Sequence, residues 1–581
     1  MKKYKTVTKI TIAIFLLSLV FSGCNITIQE NSPEKFSETE EAKDIDHTPA
    51  RDNSQIYAGD NPYSVTTMYL TVRKGNESDN TNHTWQEVNT YSTYYYDEND
   101  IDRYKVEATL QVGDESGPLP GEFGYGVTVP NATVQVRGKT TSRAEQKSYQ
   151  IKIKKDKGFW RDQRTVILNK HAYDETRFRN KLSYDLMTQY PELIGSRTQF
   201  VHLYVRDLTK GSSGKFADYG LYTQVEQMNS RYLRSHGLDE NGQLYKAGMF
   251  EFMTYDDVLK LSSDPDYDLK KFEQVLEVKG NSDHSKLINM LKELNDFSVP
   301  IESIISKYFD EDNYFLWLAF QMLIGNTDTS SQNFLLYSPL NSLKWYFISW
   351  DHDGAWDHIG RIEESGGGYN YFEGITNYWG AILHQRVLKS ESLRAKLDKK
   401  IEYLRKELSR EKLLKLVEKY KAAVEPYLYS MPDIKHAEKT QKEYQTSVKS
   451  MVDEIEYNYE MYKESLTRPM PYYVSLPEAN GKTLSFEWDN SYDFKNEALT
   501  YTFELSRDYN FKTKITGKTG IIIPNMSVPM LPDGQYFYRI TVKNKSGRTQ
   551  TAMDYYQDIN DKKHYGVIGF FIENGKVLPG T

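Results

Sequence analysis

Apolar and polar residues alternate over residues 68–72 and 104–112, a period of two that predicts strands buried on one face. A turn-rich stretch, residues 113–126, follows the second. The alternation returns in Val134-Gln135-Val136-Arg137-Gly138, a strand entering a tight turn, and in Tyr149-Gln150-Ile151-Lys152-Ile153, its returning partner. Tyr149, Ile151 and Ile153 then share one face, while Ser148, Gln150 and Lys152 share the other. Residues 201–205 and 219–225 read as a further strand pair, joined by a Gly/Ser-containing loop and closed by Glu226. The period becomes helical over 174–190 (Phe178, Leu182, Leu186), 285–295 (Leu287, Ile288, Leu291, Leu294) and 314–323 (Phe315, Leu318, Ala319, Met322, Leu323). Two short apolar strands follow, Phe334-Leu335-Leu336-Tyr337 and Tyr346-Phe347-Ile348, with Pro339, Asn341 and Ser342 as the hairpin turn. Helical periodicity with solvated charged faces dominates 381–466, and strands return at 484–488, 499–505 and 536–542.

This pattern puts Asp328 on the loop leaving a buried helix, Asn333 five positions later, and Asp351 and Asp353 just past the second strand of the hairpin. Protein kinases use that layout to hold a hydroxyl acceptor and metal-bound ATP. The residue types follow from charge. Metals bridging phosphates prefer hard oxygen ligands, and a carboxylate can orient an attacking hydroxyl and take its proton.

The stretch 324–354 resembles the core of the spore coat protein H (CotH) kinase family, atypical secretory kinases. Further blocks similar to that family occur in order. They are Val136-Arg137-Gly138-Lys139-Thr140-Thr141-Ser142, Lys147 to Lys152, Leu168-Asn169 with Asp174, Thr176, Arg179 and Asn180, Tyr219 to Tyr222 with Glu226, and Leu244-Tyr245-Lys246. The resemblance implies an α+β, atypical protein-kinase-like bilobal domain that moves the γ-phosphoryl group of ATP to a Ser or Thr of a protein acceptor. Asp328 would accept the hydroxyl proton, and Asn333, Asp351 and Asp353 would hold Mg2+ or Mn2+. Lys152, with Arg137 beside it and Lys147 as a rival, would meet the phosphates, and Glu226 would help seat the nucleotide. Arg179-Asn180 would brace the site.

The first residues imply a compartment. Lys2, Lys3, Lys5 and Lys9 precede an apolar run, residues 10–21, too short to span a bilayer, which reads as a signal peptide. Phe21-Ser22-Gly23-Cys24 resembles the bacterial lipoprotein cleavage box, and Cys24 is the only cysteine, so the expected form is an extracytoplasmic lipoprotein held to the membrane through lipidated Cys24. Residues 25–60 are acidic and poor in apolar side chains, the composition of a disordered tether. A net charge of −8 with no basic block argues against nucleic acid as a partner. The 46 tyrosines suit a strand-rich extracellular protein and also carbohydrate-binding surfaces.

The expected organisation is a signal peptide over 1–24, a tether over 25–60, a CotH kinase-like domain over 61–468 and, over 469–581, an all-β fibronectin type III or immunoglobulin-like sandwich with Trp488 and Tyr538 in its core. The segment around Gly366-Gly367-Gly368 reads as a mobile loop beside the acceptor, with a plain surface loop equally consistent with its composition. Two features keep other readings open: the loop after Asp328 carries no basic residue, and ATP is scarce outside the cytoplasm. The alternatives are a catalytically inactive surface lipoprotein for adhesion or envelope scaffolding, and a carbohydrate- or Ca2+-binding module using Asp351 and Asp353.

Overall fold

The structure, a computed structural model, describes residues 48–211, 214–356, 373–560 and 562–580. Cys24 and the Gly366–368 loop lie outside the described residues.

The first strands close on themselves. β1 (Val65–Arg73), β2 (Val106–Asp114), β3 (Gly117–Pro118), β4 (Ala132–Arg137), β5 (Ser148–Ile153), β6 (Thr165–Asn169), β7 (Thr198–Asp207) and β8 (Ala217–Glu226) lie in the order β1-β7-β8-β6-β5-β4-β2-β3. Because β1 also pairs antiparallel with β2, while running parallel to β7, seven of these strands form a closed barrel without free edges. Alternation supplies its interior: Met68, Leu70, Val72, Leu110, Val134, Ile151 and Leu203 belong to one buried cluster. Helix α1 (Trp85–Thr90) brings Trp85 into that cluster, with the indole N–H donating to the Tyr219 hydroxyl at 2.8 Å. Ile167, Phe200, Leu221 and Val225, from β6, β7 and β8, join a second and larger core instead.

That second core belongs to the helical half. It contains α3 (Arg179–Met187), α4 (Ser230–Ser235), α5 (Leu269–Val275), α6 (Ser285–Asn295), α7 (Ile301–Tyr308) and α8 (Glu311–Leu323), with a four-stranded sheet in the order β10-β9-β11-β12. These strands are β9 (Gln243–Ala247), β10 (Leu276–Val278), β11 (Phe334–Ser338) and β12 (Tyr346–Ser349). Helix α8 is buried from Asn313 to its end rather than along one stripe. It starts at Asp310, whose carboxylate accepts the Asn313 N–H at 2.9 Å, and the Asn313 side chain bonds both N–H and C=O of Phe347. The helix is therefore pinned to β12, and the loop leaving it has a defined start. Helix α3 is shorter than the periodicity over 174–190 predicts. The Asp174 carboxylate accepts the N–H groups of Thr176 and Arg179, and Arg177 has φ +63, so the chain turns around Asp174 before the helix begins.

Beyond residue 470 two antiparallel sheets share one core. One is β13 (Glu478–Asn480), β14 (Thr483–Glu487) and β17 (Asn525–Pro529); the other runs β16 (Lys514–Ile521), β15 (Leu499–Ser506), β18 (Gly534–Asn544), β19 (Val567–Glu573), β20 (Lys576–Gly580). Trp488 and Tyr538 are buried there with Phe486, Phe503 and Phe570.

The expected tether ends earlier than residue 60. Ala50 N–H donates to the Tyr346 hydroxyl at 3.0 Å, Asp52 N–H to Pro191 C=O at 2.9 Å, and Ser54–Tyr57 forms a 3-10 turn. Polar bonds rather than apolar burial hold this segment, which is why its composition resembles that of a disordered chain.

Candidate active site

The turn between β4 and β5 overhangs the ends of β9, β11 and β12, and a cleft of about 1320 Å³ lies between them. Arg137, Gly138 and Lys139 line it from the barrel; Lys246, Asp328, Asn333, Trp350, Asp351 and Asp353 line it from the helical half.

The turn is built around Gly138. Its φ is +89, and a Cβ there would lie 2.1 Å from Thr141 Oγ1, so any other residue would be strained and would have to displace Thr141. Helix α2 (Thr93–Glu98) fixes the turn from behind: Thr93 N–H donates to Ser142 Oγ at 2.9 Å and the Thr93 hydroxyl to Gly138 C=O. Lys147 donates from Nζ to Ser142 C=O at 2.8 Å, so it braces the turn and does not line the cleft.

Across the cleft, Asp328 accepts amide hydrogens on both carboxylate oxygens, from Asn333 Nδ2 at 2.6 Å and from Gln332. Asn333 and Asp351 each have φ +56, a conformation that costs roughly 1 kcal/mol for a residue with a Cβ. The surroundings hold both in place. Trp350 N–H donates to Asn333 C=O at 3.1 Å, Asp351 N–H to the Tyr184 hydroxyl at 3.1 Å, and Asn180 Oδ1 accepts the His352 N–H at 3.1 Å. The His352 ring is buried against Tyr184 and near Gln321, and burial pushes its pKa down to about 3, so it is neutral and serves as packing between the two aspartates.

Two cations flank Trp350. The Arg137 guanidinium lies 5.8 Å from the indole centroid, donates to Asn169 Oδ1 and faces Asp351; burial lowers its pKa and Asp351 opposes that. Lys246 Nζ lies 5.1 Å from the same indole, and among the described residues it makes no hydrogen bond. Burial pushes this ammonium below the usual lysine value; Glu277 and Asp351 resist the shift, while Arg137 adds to it. A half-buried cation that lines the cleft and lacks a hydrogen-bond acceptor marks a place where an anion would be stabilised.

The expected site residues therefore divide. Arg137, Asp328, Asn333, Asp351 and Asp353 come together in the cleft. Lys152 does not: Ile151 and Ile153 point into the barrel, so Lys152 points out, into a separate depression with Lys105, Lys154 and Arg164. It also lies four residues beyond cleft-lining Ser148, on the order of 13 Å along a strand. Glu226 is 2% exposed and turned away from the cleft, toward His236 at 2.9 Å and the Arg197 N–H at 2.8 Å. Lys246 takes the position expected of Lys152. Its signal was faint, one cation in the short run Leu244-Tyr245-Lys246, and only the pairing of β9 with β11 brings it beside Trp350.

Among the described residues no group of three or more His, Cys, Asp or Glu side chains could hold a metal alone. Magnesium at phosphate-transfer sites takes one or two carboxylates and completes its octahedron with water and phosphate oxygens, and the hard oxygen donors of Asn333, Asp351 and Asp353 fit that requirement. Among the described residues no helix is long and apolar enough to cross a membrane.

Comparison with known proteins gives three findings. The family model described as "CotH kinase protein" matches residues 134–462. The "Inner spore coat protein H" of Bacillus subtilis (strain 168) is 25% identical over 297 residues, 50% of this chain and 76% of that protein. A solved structure, the twitchin kinase region from C. elegans (Fn31-NL-kin-CRD-Ig26), is similar at 16% identity over 19% of this chain and 20% of that chain, with a TM-score of 0.12, too small a likeness to bear on the fold. The family match takes in β4, β5, the cleft and the helices after it, more than half of the sequence, and by it this chain belongs to the CotH kinase protein family.

Proposed function

We propose that this protein transfers the γ-phosphoryl group of ATP to a Ser or Thr hydroxyl of a protein acceptor. The observation that carries the reading is the meeting, in one cleft, of Asp328, Asn333 and Asp351 with the cations Arg137 and Lys246 under the Gly138 turn. Asp328 orients the acceptor hydroxyl and takes its proton as the bond to phosphorus forms. Its two amide hydrogen bonds, from Gln332 and Asn333, hold the carboxylate in one orientation. Asn333 and Asp351, with Asp353, hold Mg2+ or Mn2+, which when bound neutralises phosphate charge and aligns the leaving group. Arg137 and Lys246 supply the remaining positive charge, in place of the basic residue that the loop after Asp328 lacks. Trp350, packed between the cations and the core, keeps water from that end of the cleft.

The name of the Bacillus relative favours a coat or cell-surface protein as the acceptor. Membrane attachment through Cys24 rests on the signal sequence, and mass spectrometry of the mature N-terminus tests it: an unmodified Cys24 defeats it. One observation favours a second reading, nucleotide binding without transfer, because each Asp328 oxygen already accepts an amide hydrogen bond, which stabilises the ionised carboxylate and weakens it as a base. Labelling with γ-labelled ATP separates the two. Transfer in the parent that falls by about 10²–10⁴-fold in Asp328→Ala, with ATP still bound, supports the kinase; no transfer in the parent with metal-dependent ATP binding supports the second reading.

A further inference from the structure

A buried charge cluster backs onto the inner end of the cleft. His236, the residue that ends α4, is fully buried; its Nδ1 lies 2.6 Å from Asp52 Oδ1 and its Nε2 2.9 Å from Glu226 Oε2. With a carboxylate at each ring nitrogen, both nitrogens carry protons and the ring is a cation. Burial opposes that charge, but Glu226 and Asp52 together lift the pKa to about 9. Three further hydrogen bonds hold the carboxylates, while Glu226 Oε1 is buried without a hydrogen-bond partner among the described residues. Asp52 Oδ2 accepts from the Tyr57 hydroxyl at 2.7 Å and Gly195 N–H at 2.8 Å, and Glu226 Oε2 accepts Arg197 N–H at 2.8 Å.

The three residues come from three places. Glu226 ends β8 and is followed by Gln227 and Met228, which line the inner end of the cleft together with Arg137, Lys246 and Trp350. His236 belongs to the helical half. Asp52 lies on segment 50–60, which holds both halves of the protein: Ala50 and Arg51 bond Tyr346 and Asp310 on the helical side, and Asp60 pairs with Arg197, at the foot of β7, at 2.6 Å. The family match begins only at residue 134, so this segment lies outside it.

We infer that Asp52, Glu226 and His236 are positioning residues that fix the connection between barrel and helical half, and so set nucleotide affinity, with segment 50–60 as the strap that completes the cluster. The consequence for affinity rests on the nucleotide reading given above; the positioning does not. Removing one carboxylate leaves an incompletely paired charge in the interior, and the connection at 226–228 relaxes to hydrate it.

The test uses the full chain with Asp52→Asn and, separately, Glu226→Gln, His236→Gln and Asp52→Glu. Amide hydrogen exchange over residues 225–229 without nucleotide is expected to rise about tenfold in Asp52→Asn and to return toward the parent in Asp52→Glu, which keeps the carboxylate. With Mg2+ and ATP, the KM for ATP should rise about tenfold while kcat changes by less than about twofold. The groups facing His236 are Asp52 and Tyr57 from the strap, Glu226 from β8 and Tyr232 from its own helix. Burial pushes both phenols upward, so only His236 changes charge as the pH rises through about 9. The KM of the parent should therefore climb more steeply through that range than that of His236→Gln, which starts weak and in which only the cleft cation Lys246, its pKa also lowered, still titrates near the nucleotide. Exchange over 225–229 that is unchanged in a folded Asp52→Asn overturns the positioning role. Faster exchange with unaltered ATP binding overturns the link to affinity, and a parent that binds no ATP defeats the kinase reading while leaving the exchange result to decide the positioning role.

Discussion

Replacing Lys246 by Met should move stability and nucleotide affinity in opposite directions. In the protein as described, the Lys246 side chain is half-buried, makes no hydrogen bond among the described residues, and shares Trp350 with Arg137, whose charge repels it. The folded state therefore disfavours its proton, and the folded pKa lies below the ordinary 10.5. The unfolded chain binds more protons in the window between the depressed value and 10.5, so stability rises with pH across that window and the penalty is fully present below it. Methionine matches the stem and removes the charge, which should stabilise the nucleotide-free protein by about 1–2 kcal/mol at neutral pH. With ATP bound, the same ammonium would meet a phosphate oxygen, and a charge-assisted hydrogen bond of about 1.5–3 kcal/mol would be lost, some 10- to 150-fold in affinity. Thermal unfolding of parent and Lys246→Met, with and without Mg2+ and ATP, measures both effects. A variant that is less stable without nucleotide, or that binds ATP as the parent does, refutes the assignment.

Lys152→Ala should leave the KM for ATP within about twofold of the parent, because that side chain faces a depression outside the cleft; a rise of tenfold or more would put Lys152 back among the phosphate contacts. Asp433→Ala should destabilise by about 3–5 kcal/mol in denaturant melts. Asp433 Oδ1 lies 2.7 Å from the buried Lys170 ammonium, its Oδ2 accepts the Leu221 N–H at 2.8 Å, and its loss strands a lysine whose pKa burial already lowers to about 8. A loss under about 1 kcal/mol would show that water reaches Lys170 freely.

Much of the cleft was legible because short-range order carries it. Asp328 and Asn333 sit on the loop after one helix, and Asp351 and Asp353 after one hairpin, so the spacing of apolar residues alone brings them near each other. The cations were harder to read. Alternation correctly separates Ile151 and Ile153 from Lys152, but which face of a strand meets solvent, core or cleft depends on what packs there. Glu226 shows the same limit: its position at the end of β8 was readable, but its partner His236 is 10 residues away and Asp52, which bonds the other side of that ring, is 174 residues from Glu226.

By itself the sequence determined the succession of elements, a strand-rich start, a helical middle and an all-β end, together with the loop positions of the acidic residues, because periodicity is a local property of the chain. Tertiary structure alone decided that seven strands close into a barrel through the pairing of β1 with both β2 and β7, that residues 50–60 strap the two halves together, and that Lys246 rather than Lys152 stands over Trp350. Each of these depends on pairing or charge compensation between segments far apart in sequence. Such energies appear only when the chain has brought its distant parts into contact and removed the water between them.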